Sequence, residues 1–343
     1  MTMESGKQLK ILIVGYGSIG KRHIRLIRKK LPYASILLYR HKNTLEIPAG
    51  VTNVTSSLDE VSSFAADIAI VANPASLHLN IAEHLAKLGC DMLIEKPISN
   101  NLLQACKFSE KLEHYELFCT VGYNLRHKPS LQRFKDLILN NAVGEPISVR
   151  SEVGQYLPYW RPGTDYRKNV TSNAHLGGGV MLELSHEIDY LNWIFGRPCW
   201  VSAWTGKISD LDVDVEDSAI LTMGYNREFE RELIVSLSMD FVRHDATRQC
   251  LVIGDKGSIK WNAHSDSVEL FDLNSKSWNL VFNGAQDHDE SYIRQWDNFL
   301  LSRQIGFKPN KDLSTVKESV EVLKIIHYAH ISSKNQSCKQ ILS

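Results

Sequence analysis

A chain of 343 residues, 43% hydrophobic and 23% charged, has the composition of an ordinary globular protein and is long enough for two domains. Its 39 basic and 39 acidic side chains cancel, which excludes the basic footprint of a nucleic-acid binder while leaving room for a local Arg/Lys cluster on a small anion. No apolar run approaches the ~20 residues of a membrane helix. The opening MTMESGKQLK lacks the apolar core of a secretory leader. Six scattered cysteines without a C-x-x-C pair read as reduced thiols, not a disulfide frame or a zinc site, so a cytoplasmic protein without a metal is expected.

The predicted elements open with KILIVG (10–15) as a buried strand, followed by SILLYR (35–40), DIAIVAN (67–73) and DMLIEKP (91–97). Between the last two, Leu77, Ile81, Leu85 and Leu88 recur at helical spacing, and Gly89 supplies a stop. Strand, helix, strand in this rhythm predicts a parallel sheet covered by helices on both faces. LFCTVGYN (117–124) reads as its last strand. From about residue 145 the period changes to two. In ISVRSEVGQYL (147–157) Ile147, Val149 and Val153 share a face. In RELIVSLSMDF (231–241) Leu233, Val235, Leu237, Met239 and Phe241 do the same. VEDSAILTMGY (215–225), CLVIGDKGSIKW (250–261) and SVELFDL (267–273) continue the pattern, with a hairpin at Gly254-Asp255-Lys256-Gly257. The fold class predicted is α/β: an N-terminal Rossmann domain over 1–124 and, over 125–343, an α/β domain with a large, mostly antiparallel open sheet. Helices cover one face of that sheet; the other is solvated or forms a subunit interface. Helical stretches around 290–302 and 313–333 close the chain.

Gly15-Tyr16-Gly17-Ser18-Ile19-Gly20 directly follows the first strand and opens a helix. Glycines at these spacings permit a tight turn, close approach of backbone to a pyrophosphate, and helix-on-strand packing, with the phosphates at the positive helix end. A dinucleotide is therefore expected here. Enzymes for NAD usually carry Asp or Glu at the end of the second strand to accept from the ribose 2′-hydroxyl. This strand ends Tyr39-Arg40-His41-Lys42, and the first acid afterwards is Glu46. Three basic side chains suit a 2′-phosphate, so NADP is favoured without excluding NAD; a solvated basic turn is the alternative.

Glu95-Lys96-Pro97 ends the fourth strand, where ligands of open α/β sheets gather. A lysine there can be desolvated toward neutrality and serve proton transfer, although the tripeptide alone could be a strand-end turn. In GGGVMLELSHEIDYLNWIFG (177–196), Leu184, Ile188, Leu191 and Phe195 form one helical stripe. His186 lies on the opposite side, with Glu183 and Asp189 three residues to either side. A carboxylate beside imidazole sets its tautomer and raises its basicity.

Several motifs now stand together: the glycine turn with His23 after it; Asn73-Pro74 with His78; Glu95-Lys96-Pro97; Gly122-Tyr123-Asn124-Leu125-Arg126; and the glycines leading to His186 and Asp189. They resemble the glucose–fructose oxidoreductase / inositol dehydrogenase / rhizopine catabolism (Gfo/Idh/MocA) family over nearly the whole chain. The resemblance implies that Asn73, Pro74, His78, Glu95 and Lys96 join the glycine turn, Arg40 and His41 in holding the cofactor. It also implies that Lys96 sits at the reacting oxygen and that His186 is the acid/base histidine. Hydride transfer between nicotinamide and a hydroxyl or keto carbon of a sugar, cyclitol or related compound follows, in a homodimer or homotetramer joined through the second sheet. One departure stands out. The family commonly places Asp four residues before the histidine; here that position is Leu182, and Glu183 stands three before.

The segment YLPYWRPGTDYRKN (156–169) adds Trp160, Arg161, Tyr166 and Arg167 to Tyr123, Arg126, Lys96 and His186 as expected substrate contacts. Aromatic and guanidinium groups together fit a nucleotide-activated sugar, and an ordered surface loop is the alternative. Asp287-His288-Asp289-Glu290 reads as the solvated start of a helix, since four successive residues cannot all face one ion. Two rival functions remain: a redox-mediated glycosidase of the same fold, and a dinucleotide-sensing regulator. A sensor needs no acid/base pair, so the presence of both Lys96 and His186 counts against it.

Overall fold

The computed structural model describes residues 8–41, 46–226, 232–284, 287–306 and 310–341. The chain divides into two compact units, Met1–Gly122 with Asp297–Val320, and Tyr123–Trp296 with Glu321–Ser343.

The first unit is built on β1 (Lys10–Val14), β2 (Ser35–Tyr39), β3 (Asn53–Thr55), β4 (Ile68–Val71), β5 (Asp91–Ile94) and β6 (Cys119–Val121). The connecting helices are α1 (Ser18–Lys30), α2 (Leu58–Phe64), α3 (His78–Lys87) and α4 (Leu102–Leu112). The strands are parallel in the order β6-β5-β4-β1-β2-β3, the doubly wound arrangement in which the first and fourth strands lie side by side. Ile11, Leu12 and Ile13 of β1 and all four residues of β4 are fully buried, because a central parallel strand is covered on both faces. β3 and α2 were not anticipated. Their apolar content is too short to stand out from a loop, and β3 sits at the sheet edge.

Asp297–Val320, which the sequence assigns to the second domain, clusters with the first. Ser314–Thr315 adds an antiparallel segment beside β6, so β6 is not the last strand of its sheet. Phe299 packs on Phe118 at 5.2 Å between ring centroids, and Arg303 pairs with the buried Asp91. These contacts come from side chains far apart in sequence, and no local pattern announces them.

The second unit holds α5 (Pro129–Leu139), β7 (Pro146–Gly154), α6 (Val180–Glu183), α7 (His186–Phe195), β8 (Trp200–Gly206), β9 (Ser218–Asn226), β10 (Glu232–Asp240), β11 (Thr247–Gly254), β12 (Gly257–Asn262), β13 (Ser267–Asp272) and β14 (Ser277–Asn283). Its sheet runs β14-β13-β12-β11-β7-β10-β9-β8, closed at the far edge by Lys339–Gln340. Every pairing is antiparallel except β7 with β10. One row across it, Val201, Met223, Val235, Val149, Val252 and Ile259, is fully buried under the helices. Each such side chain contributes about 1.5–3 kcal/mol to folding. On the opposite face Trp204 (47% exposed), Ile220 (52%) and Leu280 (59%) stand open.

Ile147 corrects the predicted stripe: it is 53% exposed, while Val149 and Val153 are buried. The pairing of β7 with β11 skips it, passing from Ser148 opposite Ile253 to Pro146 opposite Gly254, and this bulge turns Ile147 out of phase. Two further helices close the described chain, α8 (Glu290–Gln304) and α9 (Val316–Asn335). Asp287 and His288 are exposed ahead of α8, and Asp287 accepts the backbone N–H of Asp289 at 2.8 Å.

Candidate active site

The glycine turn sits between β1 and α1. Gly15 has φ +95°, a conformation that L side chains rarely adopt. A Cβ on Gly20 would lie 2.3 Å from the Gly15 carbonyl oxygen, so the third glycine is what lets α1 close onto the strand. Gly17 differs. Nothing lies within 4 Å of where its Cβ would be, so the backbone there faces open space. Gly17 is also the N-cap of α1 and offers no side chain to the first N–H groups of the helix, whose first turn carries no acid. Such an end is ready for an anion. At the end of β4, the Oδ1 atom of Asn73 is buried without a hydrogen-bond partner among the described residues, a place for a donor from a ligand. An open cradle, an uncapped helix and an orphaned amide oxygen fit a dinucleotide.

Around this cradle the other expected cofactor residues do different work. His23, fully buried in α1, meets Glu95 at 2.7 Å, and the Glu95 carboxylate also receives the Lys96 backbone N–H at 3.3 Å. Glu95 therefore ties α1 to the end of β5 and holds the backbone of Lys96. His78 has Nε2 2.8 Å from the Asn73 carbonyl and Nδ1 3.0 Å from that of Pro97, and burial pushes its pKa down, so the neutral ring donates its one N–H to one of these carbonyls. Its ring lies between the segments that follow β4 and β5. Arg40 lies over the ring of Tyr16 and donates to the Glu46 carbonyl at 3.1 Å, while the His41 ring stands 6.3 Å from that of Tyr39. Lys42, read with them, lies outside the described residues.

In the second unit the segment Asn124–His127 forms a short 3-10 turn between Tyr123 and α5. Arg126 at its centre reaches α7 and makes two hydrogen bonds to Asp189, Nε to Oδ2 at 2.9 Å and Nη2 to Oδ1 at 2.7 Å, with both side chains 1% exposed. The guanidinium also faces Trp193, whose ring carries the Lys135 ammonium at 3.5 Å. The same turn sets Tyr123 beside His186, edge to face at 5.5 Å, and the phenol donates to Ser185 Oγ at 3.4 Å. Burial raises the Tyr123 pKa, so this phenol stays protonated and is no base.

This geometry corrects the helical reading of 180–195. The stretch is two helices, α6 and α7, broken at Leu184 and Ser185, so the three-residue offset from Glu183 to His186 does not run along one helix. The side of α7 opposite the apolar stripe is also covered: His186, Glu187, Asp189 and Tyr190 are buried along with Ile188 and Leu191. Arg126 takes both oxygens of Asp189, a pairing between distant segments that spacing along α7 cannot reveal. Sequence reasoning also missed Glu216. Its carboxylate fills the space a Cβ on Gly179 would need (2.6 Å) and accepts the Met181 N–H at 3.3 Å, and burial pushes its pKa up. A glycine run gives no hint of which side chain will occupy its vacated volume.

The loop after β7 holds three of its four expected substrate residues in local contacts. Trp160 donates its indole N–H to the Gln155 carbonyl (3.0 Å) and packs on Phe241. The Tyr166 hydroxyl accepts the Asp212 N–H (3.1 Å), and Arg167 makes a two-point contact with Asp165 (2.8 and 3.0 Å). Arg161 has no side-chain partner among the described residues.

The model of the oxidoreductase family's NAD-binding Rossmann fold matches residues 9–123, and that of the GFO/IDH/MocA C-terminal domain matches 131–260. The chain belongs to the GFO/IDH/MocA family. Rhizopine catabolism protein MocA of Rhizobium meliloti is 23% identical over 194 residues; the alignment covers 55% of this chain and 58% of that protein, under two thirds of its length. Two solved structures share the GFO/IDH/MocA fold. Levoglucosan dehydrogenase in complex with NADH has 18% identity and a TM-score of 0.85, covering 98% of this chain and 100% of that one. The WlbA dehydrogenase of Bordetella pertussis, in complex with NADH and UDP-GlcNAcA, has 19% identity and a TM-score of 0.80 at the same coverage.

Proposed function

We propose that this chain moves a hydride between a nicotinamide dinucleotide and a hydroxyl-bearing or keto carbon of a sugar or sugar derivative. The observation that carries the reading is the pairing of an open, uncapped glycine cradle in the family's NAD-binding domain with a buried histidine, His186, seated against Tyr123 in its C-terminal domain. Levoglucosan dehydrogenase by its name, and WlbA by the UDP-GlcNAcA bound in its structure, support the substrate class. The bound cofactor accepts or supplies the hydride at the nicotinamide ring. In the oxidative direction a secondary alcohol becomes a ketone; its carbon loses the hydride and its hydroxyl loses a proton. Lys96 and His186 serve that one proton transfer, Lys96 at the reacting oxygen and His186 as acid/base, and ketone reduction uses the same groups in reverse. Asp189 and Glu183 support the histidine side. Arg40, with His41, favours NADP over NAD.

A nucleotide-activated sugar is the finer reading, supported by Arg161 and by the ligand in the WlbA structure. Remote binding energy helps position the reacting carbon, so Arg161→Ala should lower turnover as well as affinity for such a substrate, by roughly tenfold or more in kcat/KM. Arg167→Ala should have a smaller effect, because its guanidinium is already engaged by Asp165. Steady-state rates with nucleotide sugars and free polyols, with either cofactor, check this. A free polyol used as efficiently as any nucleotide sugar would return the loop to a structural role. Stoichiometric gain of reduced cofactor in the same assay separates a dehydrogenase from a glycosidase that recycles its dinucleotide in place. No cofactor turnover with any sugar would revive the sensor.

We also place self-association, as a homodimer or homotetramer, on the open face of the second sheet around Trp204 and Ile220, which stand opposite one another on β8 and β9. Light scattering should give a multiple of the 38.9 kDa chain mass, shifting toward monomer in Trp204→Asp. A monomeric wild type would remove this interface. The sequence points to the cytoplasm as the setting.

A further inference from the structure

We propose that Lys21 and Arg40, both drawn to the ring of Tyr16, form a two-cation seat for the 2′-phosphate of NADP. The inference rests on the dinucleotide reading above and adds Lys21, which the end of the second strand does not reveal. Tyr16 is the second residue of the glycine turn, between Gly15 and Gly17, so its ring stands at the rim of the open cradle. The Lys21 ammonium lies 4.9 Å from the ring centroid and the Arg40 guanidinium 5.7 Å. One cation comes from the first turns of α1 and the other from the residue after β2, so two separate elements bring their charge to a single side chain.

Two like charges gathered on one ring repel. Among the described residues neither has a carboxylate partner. Arg40 is anchored by its backbone N–H to the Thr55 carbonyl (3.0 Å) and by Nη2 to the Glu46 carbonyl (3.1 Å), while its Nε is shielded from solvent without an acceptor. A buried guanidinium N–H that lacks an acceptor, beside a second cation, calls for an anion with several acceptor oxygens. A phosphate dianion supplies the acceptor and relieves the repulsion. A ribose 2′-hydroxyl does neither, and the residues that directly follow β2, Arg40 and His41, are basic where an acid would accept from that hydroxyl.

Calorimetric titration of the full chain with NADP, NAD, 2′,5′-ADP and 5′-AMP tests this without any assay of turnover. Wild type should bind NADP and 2′,5′-ADP at least about tenfold tighter than NAD and 5′-AMP. Lys21→Gln and Arg40→Gln should each weaken the two 2′-phosphorylated ligands about tenfold and leave NAD within about twofold. Lys21 is exposed, so its variant should melt like wild type. Gly17→Val puts a side chain into the pyrophosphate cradle and should weaken NAD and NADP alike, which marks a fault in the cradle and not in the seat. Unchanged NADP affinity in Lys21→Gln, or equal wild-type affinity for NAD and NADP, overturns the seat while leaving dinucleotide binding intact. Failure of the wild type to bind either dinucleotide overturns the underlying reading and the seat with it.

Discussion

Lys96→Met and His186→Ala should each depress turnover by ~10²–10⁴ while leaving dinucleotide affinity within about twofold, because general acid–base assistance is typically worth that much and neither residue forms the phosphate cradle. The Lys96 backbone is held by the Glu95 carboxylate, which His23 holds in turn, so the methionine variant keeps its strand end and loses only the ammonium. The histidine variant leaves a small void beside Tyr123. If both groups serve one proton transfer, the double variant should lose much less than the product of the two single losses. Tyr123 cannot substitute as base, since burial keeps its phenol protonated. Steady-state rates with cofactor titrations on the three variants decide it. Full activity in either single variant would remove that residue from the chemistry.

The parts of this fold that can be read from sequence are those where one local pattern has one physical cause. The buried parallel strands are continuous apolar runs, and Leu233, Val235, Leu237 and Met239 alternate because one face of β10 is covered. The glycine turn was legible because Gly15, Gly17 and Gly20 answer different local demands at fixed spacing. Elsewhere the deciding interaction is long-range. Asp91 with Arg303 draws a late segment back to the first unit, and a single skipped residue in the β7–β11 pairing turns Ile147 outward. The candidate site divides the same way. The motifs named Lys96, His186 and Arg126, but periodicity treated the histidine helix as an isolated amphipathic rod. Most of it is buried, and three of its polar side chains are answered by other segments: Glu187 by Arg248, Tyr190 by Ser151, Asp189 by Arg126. A sequence shows that a buried helix carries charge, but not which distant residue answers it.

That distinction makes the second large effect one of stability. Asp189→Asn and Arg126→Met should each cost about 3–5 kcal/mol, because either leaves a buried charge without its partner. The geometry supports the upper part of this range: two hydrogen bonds at 2.7 and 2.9 Å, both side chains 1% exposed, and a neighbouring Trp193 already occupied by the Lys135 cation. The charge-free pair Arg126→Met with Asp189→Leu should recover much of the loss, since replacing both members of a buried ion pair by apolar groups is often neutral. Activity then discriminates between two roles for Asp189. If it acts by anchoring the Tyr123–His127 turn, turnover falls with stability and returns in the charge-free double variant. If it tunes the imidazole directly, turnover stays low in the double variant and the pH–rate profile shifts, while Glu183→Gln, on the separate helix α6, does little. Denaturant unfolding of the variants, read beside their pH–rate profiles, gives the answer. An Asp189→Asn protein as stable as wild type would show that the Arg126 pair contributes nothing to holding α7 in place.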